Sequence, residues 1–165
     1  PRRQRQMCIR DSNKIVDNLF KASRKKFTER IFEPNEILEL LNFLKNGKAC
    51  LYAPDQDYGY KGSIFVDFFG NKALTVKFPF LAAKRANCDV YLFSTRKRGY
   101  RYHVALEKLP LKKENVKEDL KIMNSKIEEY ILSNPENYLW FHRRFKNRPE
   151  SEAPFYPSEL LRKRT

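Results

Sequence analysis

The residues best placed to do chemistry lie in one short run, Ala53-Pro54-Asp55-Gln56-Asp57-Tyr58-Gly59-Tyr60-Lys61-Gly62-Ser63. Asp55 and Asp57 stand one residue apart in a turn marked by Pro54, Gly59 and Gly62. An Asp-x-Asp pair has three readings. Both acids can hold a divalent metal for a glycosyl or phosphoryl transferase, because hard cations prefer carboxylate oxygens. They can bond nearby backbone N–H groups and do no more than shape the turn. One of them can position a substrate hydroxyl or orient a base, with glycines permitting close approach. The pair alone favours the turn. The full run through Gly62 is more specific and points to a site.

Other reactive groups are few. The two histidines are His103 and His142. Glu107 falls one residue short of the His-x-x-x-x-Asp/Glu spacing used by a large class of acyltransferases, and position 108 is Lys. His142 has Asn147 at the corresponding place. Neither histidine completes a catalytic dyad. No Gly-x-Ser-x-Gly elbow and no phosphate-binding glycine loop is present. Cys8, Cys50 and Cys88 are far apart and match neither a metal site nor a disulfide framework, which fits a reducing compartment.

The stretch from Pro135 to Pro149 holds the only tryptophan, Trp140, and alternates aromatics with Arg143, Arg144, Lys146 and Arg148. It reads equally as a nucleic-acid stacking surface, an amphipathic helix with a cationic outer face, or a helix at an anionic membrane. Arg96-Lys97-Arg98 and Arg162-Lys163-Arg164 read as solvated charge. The whole chain carries 34 Lys and Arg against 20 Asp and Glu, a net of +14. A field of that sign attracts nucleic acid, anionic lipid, phosphoglycolipid or an acidic carrier protein. The 165 residues suit one domain with a real core. No apolar stretch approaches the ~18–20 residues of a membrane span.

The elements that must position these groups follow from periodicity. Residues 13–30 and 37–44 read as helices, the second stopped at Asn46-Gly47. Residues 49–53 read as a short buried strand, and 64–69 as a strand or an aromatic-rich loop. Residues 78–87 read as a helix with Pro79 in its first turn. Residues 88–95 and 100–106 read as a hairpin around a basic turn at 96–99. Val116, Leu120, Met123, Ile127 and Ile131 mark an amphipathic helix closed by Asn134-Pro135. A last helix is expected over 136–145, then an irregular tail. Interleaved strands and helices imply an α/β layer fold.

Two blocks carry a family resemblance. Ala53 to Gly59, with Phe65, Phe68, Phe69 and Gly70, resembles the Pro-Asp-Gln-Asp block of the late acyltransferases of lipid A biosynthesis. Pro135-Glu136, Tyr138-Leu139-Trp140, His142 to Lys146 and Arg148-Pro149 resemble that family's C-terminal signature, and Thr95-Arg96-Lys97 also fits. The resemblance implies an incomplete acyltransferase-like α/β layered fold, with a mixed central sheet flanked by helices. It implies transfer of a fatty acyl chain from acyl carrier protein to a hydroxyl of a lipid A precursor, at the cytoplasmic face of the inner membrane. The implied partners are acyl carrier protein, the lipid A precursor and the anionic membrane surface. No cofactor beyond the carrier-bound donor is implied, and nucleic acid is not expected as a partner.

The family's general base belongs to its His-x-x-x-x-Asp/Glu motif, expected upstream of Asn13, so no catalytic residue is assigned within this chain. Arg24 takes the place of an oxyanion or substrate arginine. Asp55, Asp57, Tyr58 and Gly59 are carried over as substrate-binding residues. The expected organisation is a non-native segment over 1–12, similar to read-through of a sequencing adapter, then the C-terminal part of an acyltransferase domain over 13–149 and a basic tail over 150–165.

Overall fold

The computed structural model describes residues 14–33 and 35–157. The segment Pro1–Ser12 and the triplet Arg162-Lys163-Arg164 lie outside the described residues. The chain divides into two compact units, Pro1–Ala53 with Ala82–Cys88, and Pro54–Leu81 with Asp89–Thr165.

The first unit is helical. Helix α1 (Lys14–Lys25) ends five residues earlier than its periodicity suggests, where Lys26 N–H bonds back to Ser23 O in a tightened turn. Phe27 is accordingly left 78% exposed. Helix α2 (Ile37–Lys45) stops as expected before Gly47, whose φ of +74° suits glycine. Phe32 is buried and meets Phe43 edge to face at 5.4 Å. The expected strand over 49–53 does not form: Leu51 makes a lone bridge, and without a ladder the run is a half-buried connection.

The second unit holds both sheets. Strand β1 (Ser63–Phe68) pairs antiparallel with β2 (Asn71–Val76). Strand β3 (Tyr91–Arg98) pairs antiparallel with β4 (Arg101–Lys108). Among the described residues these are two separate two-stranded sheets, in place of the expected mixed central sheet. The reason is connectivity. Each pair is joined by a two-residue turn, Phe69-Gly70 or Gly99-Tyr100, which allows only antiparallel pairing. Phe69 and Gly70 both take positive φ, +48° and +72°, as the favoured hairpin turn requires. The strain at Phe69 is held from outside the hairpin, by its N–H bonding Glu128 Oε1 at 2.9 Å.

Helix α3 (Phe78–Ala86) follows β2 with Pro79 in its first turn. Helix α4 (Val116–Ser133) lies across β1. Asn115 caps α4 through its side chain, Glu118 and Asp119 sit in its first turn, and Asn134-Pro135 closes it. Leu120, Met123, Ile127 and Ile131 pack with Val66, Phe68, Ala73, Phe80 and Leu109 into the core. The helix expected over 136–145 is absent. A 3-10 turn (Pro135–Asn137) is followed by tight turns, because the side chains after it bond the Asp57 loop.

Candidate functional site

The two blocks that stand about 80 residues apart in sequence meet in the second unit. The loop after Pro54 has no regular structure and is tied down by three residues of the segment 138–148. Tyr138 Oη donates to Asp55 O at 3.4 Å. His142 Nε2 accepts from Asp57 N–H at 2.9 Å. Asn147 donates through Nδ2 to both Asp57 oxygens, at 2.9 and 3.1 Å, and through its backbone N–H to Oδ2 at 3.3 Å.

Asp57 is the hub. It is 3% exposed, and Gly59 N–H adds a fourth donation at 2.8 Å. Gly59 has φ +85°, a backbone conformation that brings its N–H onto Oδ1 and that a side chain would strain. The four donations occupy the lone pairs of this buried carboxylate. A divalent metal needs those same oxygens. Among the described residues no group of three His, Cys, Asp or Glu is arranged to hold a metal.

Asp55 differs from Asp57. It is partly exposed, and among the described residues its carboxylate accepts no hydrogen bond and joins no ion pair. Its charge acts on Tyr138, His142 and Arg144. Burial, and after it the charge of Asp55, pushes the Tyr138 phenol up to about 12, so it remains a donor at neutral pH. Burial, helped by Lys146, holds His142 below the ordinary histidine value. A neutral ring agrees with Nε2 acting as an acceptor. With that lone pair taken by Asp57 N–H, His142 positions the loop and is not free to act as a base.

Arg144 anchors the segment from beneath. It is 2% exposed, its Nη1 donates to Leu74 O, its Nη2 donates to Thr75 Oγ1 at 2.9 Å, and its guanidinium lies 5.2 Å over the Phe68 ring. Thr75 in turn receives Asn124 Nδ2 at 3.4 Å, and the same nitrogen reaches Asp67 O at 2.8 Å. Arg148 Nη1 donates to Lys72 O at 2.8 Å, and its Nη2 pairs with Glu152. The site is therefore clamped to β2 by two arginines.

The structure brings Asp55, Asp57, Tyr58 and Gly59 together on one loop, with Tyr58 40% exposed. Arg24 falls within α1, and its side chain lies outside the described residues. His103 is exposed on β4, paired across the hairpin with Arg96. Sequence reasoning passed over Tyr138, Arg144 and Asn147 as site residues. The five-residue step from His142 to Asn147 was the available signal: it fails as a catalytic dyad, but both side chains close on Asp57.

A family model described as bacterial lipid A biosynthesis acyltransferase matches residues 4–147, a span that takes in part of Pro1–Ser12. The chain is 32% identical over 152 residues to a lipid A biosynthesis palmitoleoyltransferase of Escherichia coli, covering 88% of this chain and 49% of that protein. It is 28% identical over 151 residues to the lauroyltransferase of the same organism, with the same coverage. A lipid A biosynthesis acyltransferase of Haemophilus influenzae is 28% identical over 151 residues, covering 87% of this chain and 48% of that one. The chain spans about half the length of the curated relatives it matches.

Proposed function

The chain belongs to the bacterial lipid A biosynthesis acyltransferase family, and from that premise we propose that it is the substrate-side part of an enzyme that moves a fatty acyl chain from acyl carrier protein to a hydroxyl of a lipid A precursor. The observation that carries this reading is the convergence of Asp57, His142 and Asn147. The blocks that resemble the family are one bonded unit, built to present the loop 55–59.

In this reading Asp55 touches substrate and Asp57 holds the loop. The free carboxylate of Asp55 accepts a hydrogen bond from a hydroxyl of the acceptor, which fixes that hydroxyl's orientation. A base takes the acceptor proton as the oxygen attacks the thioester carbonyl. The tetrahedral oxyanion collapses, the carbon–sulfur bond breaks, and the carrier leaves as its thiol, taking the proton that the base had accepted. The ester remains on the acceptor. The 165 residues contain no His-x-x-x-x-Asp/Glu, so the base comes from outside them. Arg24 is proposed as the cation facing the oxyanion or the substrate. The net charge of +14 suits the acidic carrier, the phosphates of lipid A and the anionic inner surface of the inner membrane. The metal-dependent alternative is weakened by the saturated oxygens of Asp57.

The test is to incubate the chain with acyl carrier protein thioester and detergent-dispersed lipid A precursor. The precursor binds, more tightly than a phospholipid of equal charge, and no new ester forms. Ester formed by these residues alone would overturn the assignment of the base. Precursor binding no tighter than that of the phospholipid would overturn the substrate reading.

A further inference from the structure

The clamp at Asp57 has an outward consequence. Between its anchors Tyr138 and His142, the chain projects Leu139, Trp140 and Phe141, respectively 56%, 58% and 96% exposed. Three consecutive apolar side chains this exposed make a contiguous apolar tip, of the kind that marks a contact with another apolar phase. The loop is nevertheless fixed: Trp140 Nε1 donates to Pro135 O at 2.6 Å, and its ring meets Tyr138 edge to face at 5.0 Å.

The surroundings are basic. No acid occurs from Asn137 to Pro149, or from Tyr91 to Leu106. The 3-10 turn that precedes the loop packs on β3, and Arg96 of β3 reaches Ser133 at the end of α4 at 3.1 Å. The β3–β4 hairpin thereby joins the same end of α4. It presents Lys97, Arg98 and Arg101 with the exposed Tyr100 and Tyr102. These three cations, with Arg143 and Lys146 beside the loop, pair with no carboxylate among the described residues. Apolar and Trp side chains at a tip, Tyr beside them and unpaired cations around them match the layering of an anionic bilayer, acyl chains within and phosphates without.

We propose that Leu139–Phe141 is a membrane wedge, seated in the headgroup–acyl boundary of an anionic bilayer, with the basic end of the β3–β4 hairpin on the lipid phosphates. It rests on the acyltransferase reading only in that the acceptor is then itself a membrane lipid. Because the wedge hangs from Tyr138 and His142, lipid contact and the Asp55–Asp57 loop are held in one rigid relation. An acidic carrier protein satisfies the cations but gives no surrounding apolar phase for Phe141.

Trp140 is the only tryptophan, so intrinsic emission reads the wedge directly. On phosphatidylglycerol vesicles the emission shifts to the blue and is quenched by lipids brominated near the top of the acyl chain. Uncharged phosphatidylcholine vesicles give far less of either. Phe141→Asp weakens vesicle binding by about tenfold or more at an unchanged melting temperature. Arg98→Glu with Arg101→Glu weakens it by roughly 30-fold or more and flattens its salt dependence. Three results would overturn the proposal: vesicle binding with Trp140 emission unmoved, the same blue shift produced by acyl carrier protein without lipid, or a blue shift that grows with protein concentration alone. If Trp140 stays in water while precursor binding in detergent persists, the wedge fails and the substrate reading stands. If Trp140 inserts but precursor binding is absent, the reverse holds.

Discussion

Asn147 closes on Asp57 with two nitrogens at once: its amide Nδ2 spans both carboxylate oxygens at 2.9 and 3.1 Å, while its backbone N–H meets Oδ2 at 3.3 Å. Residues 90 positions apart are thus joined through a carboxylate that water barely reaches. Removing the amide leaves that charge under-bonded. Asn147→Ala is expected to cost roughly 1–3 kcal/mol, measured by urea unfolding. A midpoint equal to that of the parent chain would show that the latch is not formed.

The two aspartates should separate cleanly. Asp57→Ala strands the Gly59 and Asn147 donors in a buried site and is expected to destabilise by about 2–4 kcal/mol. Asp55→Asn removes a charge that accepts no hydrogen bond among the described residues, and leaves the melting temperature where it was. Equal losses of stability in the two variants would contradict the division of roles.

Protonation of His142 should loosen the loop. Its pKa lies below the ordinary 6.5, chiefly through burial and then through Lys146, against the opposing pull of Asp55. Between that lower value and 6.5 the unfolded chain carries a proton that the folded chain does not. Stability therefore rises with pH across this window. The contribution is whole above about 6.5 and is lost as pH falls through the folded value. Stability measured against pH in the parent and in His142→Gln should show the slope only in the parent. An identical slope in both would assign it elsewhere.

Tyr138 gives the opposite signature at high pH. Its phenol ionises only near 12, because burial and then Asp55 disfavour the phenolate, whereas the unfolded residue ionises near 10. Between those values the folded chain holds the extra proton, so stability falls as pH rises. Ultraviolet titration should find one tyrosine ionising late, and Tyr138→Phe should remove it.

Arg144 is held by geometry that lysine cannot copy. Its fork reaches Leu74 O and Thr75 Oγ1 while its plane covers Phe68. Arg144→Lys is expected to cost roughly 2–3 kcal/mol and to lower the melting temperature, despite the conserved charge. An unchanged melting temperature would mean that the guanidinium does not anchor the segment to β2.

Helices α2, α3 and α4 are legible in the sequence because apolar spacing and stop signals agree there. The β3–β4 hairpin is legible too, but β3 runs three residues further along than alternation suggests, and β4 starts one residue later and ends two later. Arg96 to Arg98 look like a turn from their charge, yet they pair with Arg101 to His103. Strand β2 is not legible. Ala73 to Val76 are buried on both faces and so show no alternation, and its turn is Phe-Gly where Asn-Gly would announce a hairpin. The pairing of Asp57 with His142 and Asn147 is a long-range contact that no local pattern encodes. The resemblance puts both blocks in one family, but only the fold separates a bonded aspartate from a free one.

The most direct measurement is calorimetric titration of lipid A precursor into the parent chain, Asp55→Asn and Asp57→Asn, with a melting curve for each. The account predicts that Asp55→Asn melts like the parent but binds at least about tenfold more weakly, as the loss of one charge-assisted hydrogen bond implies, while Asp57→Asn melts early. Parent-like binding by Asp55→Asn would contradict the claim that this carboxylate meets the substrate.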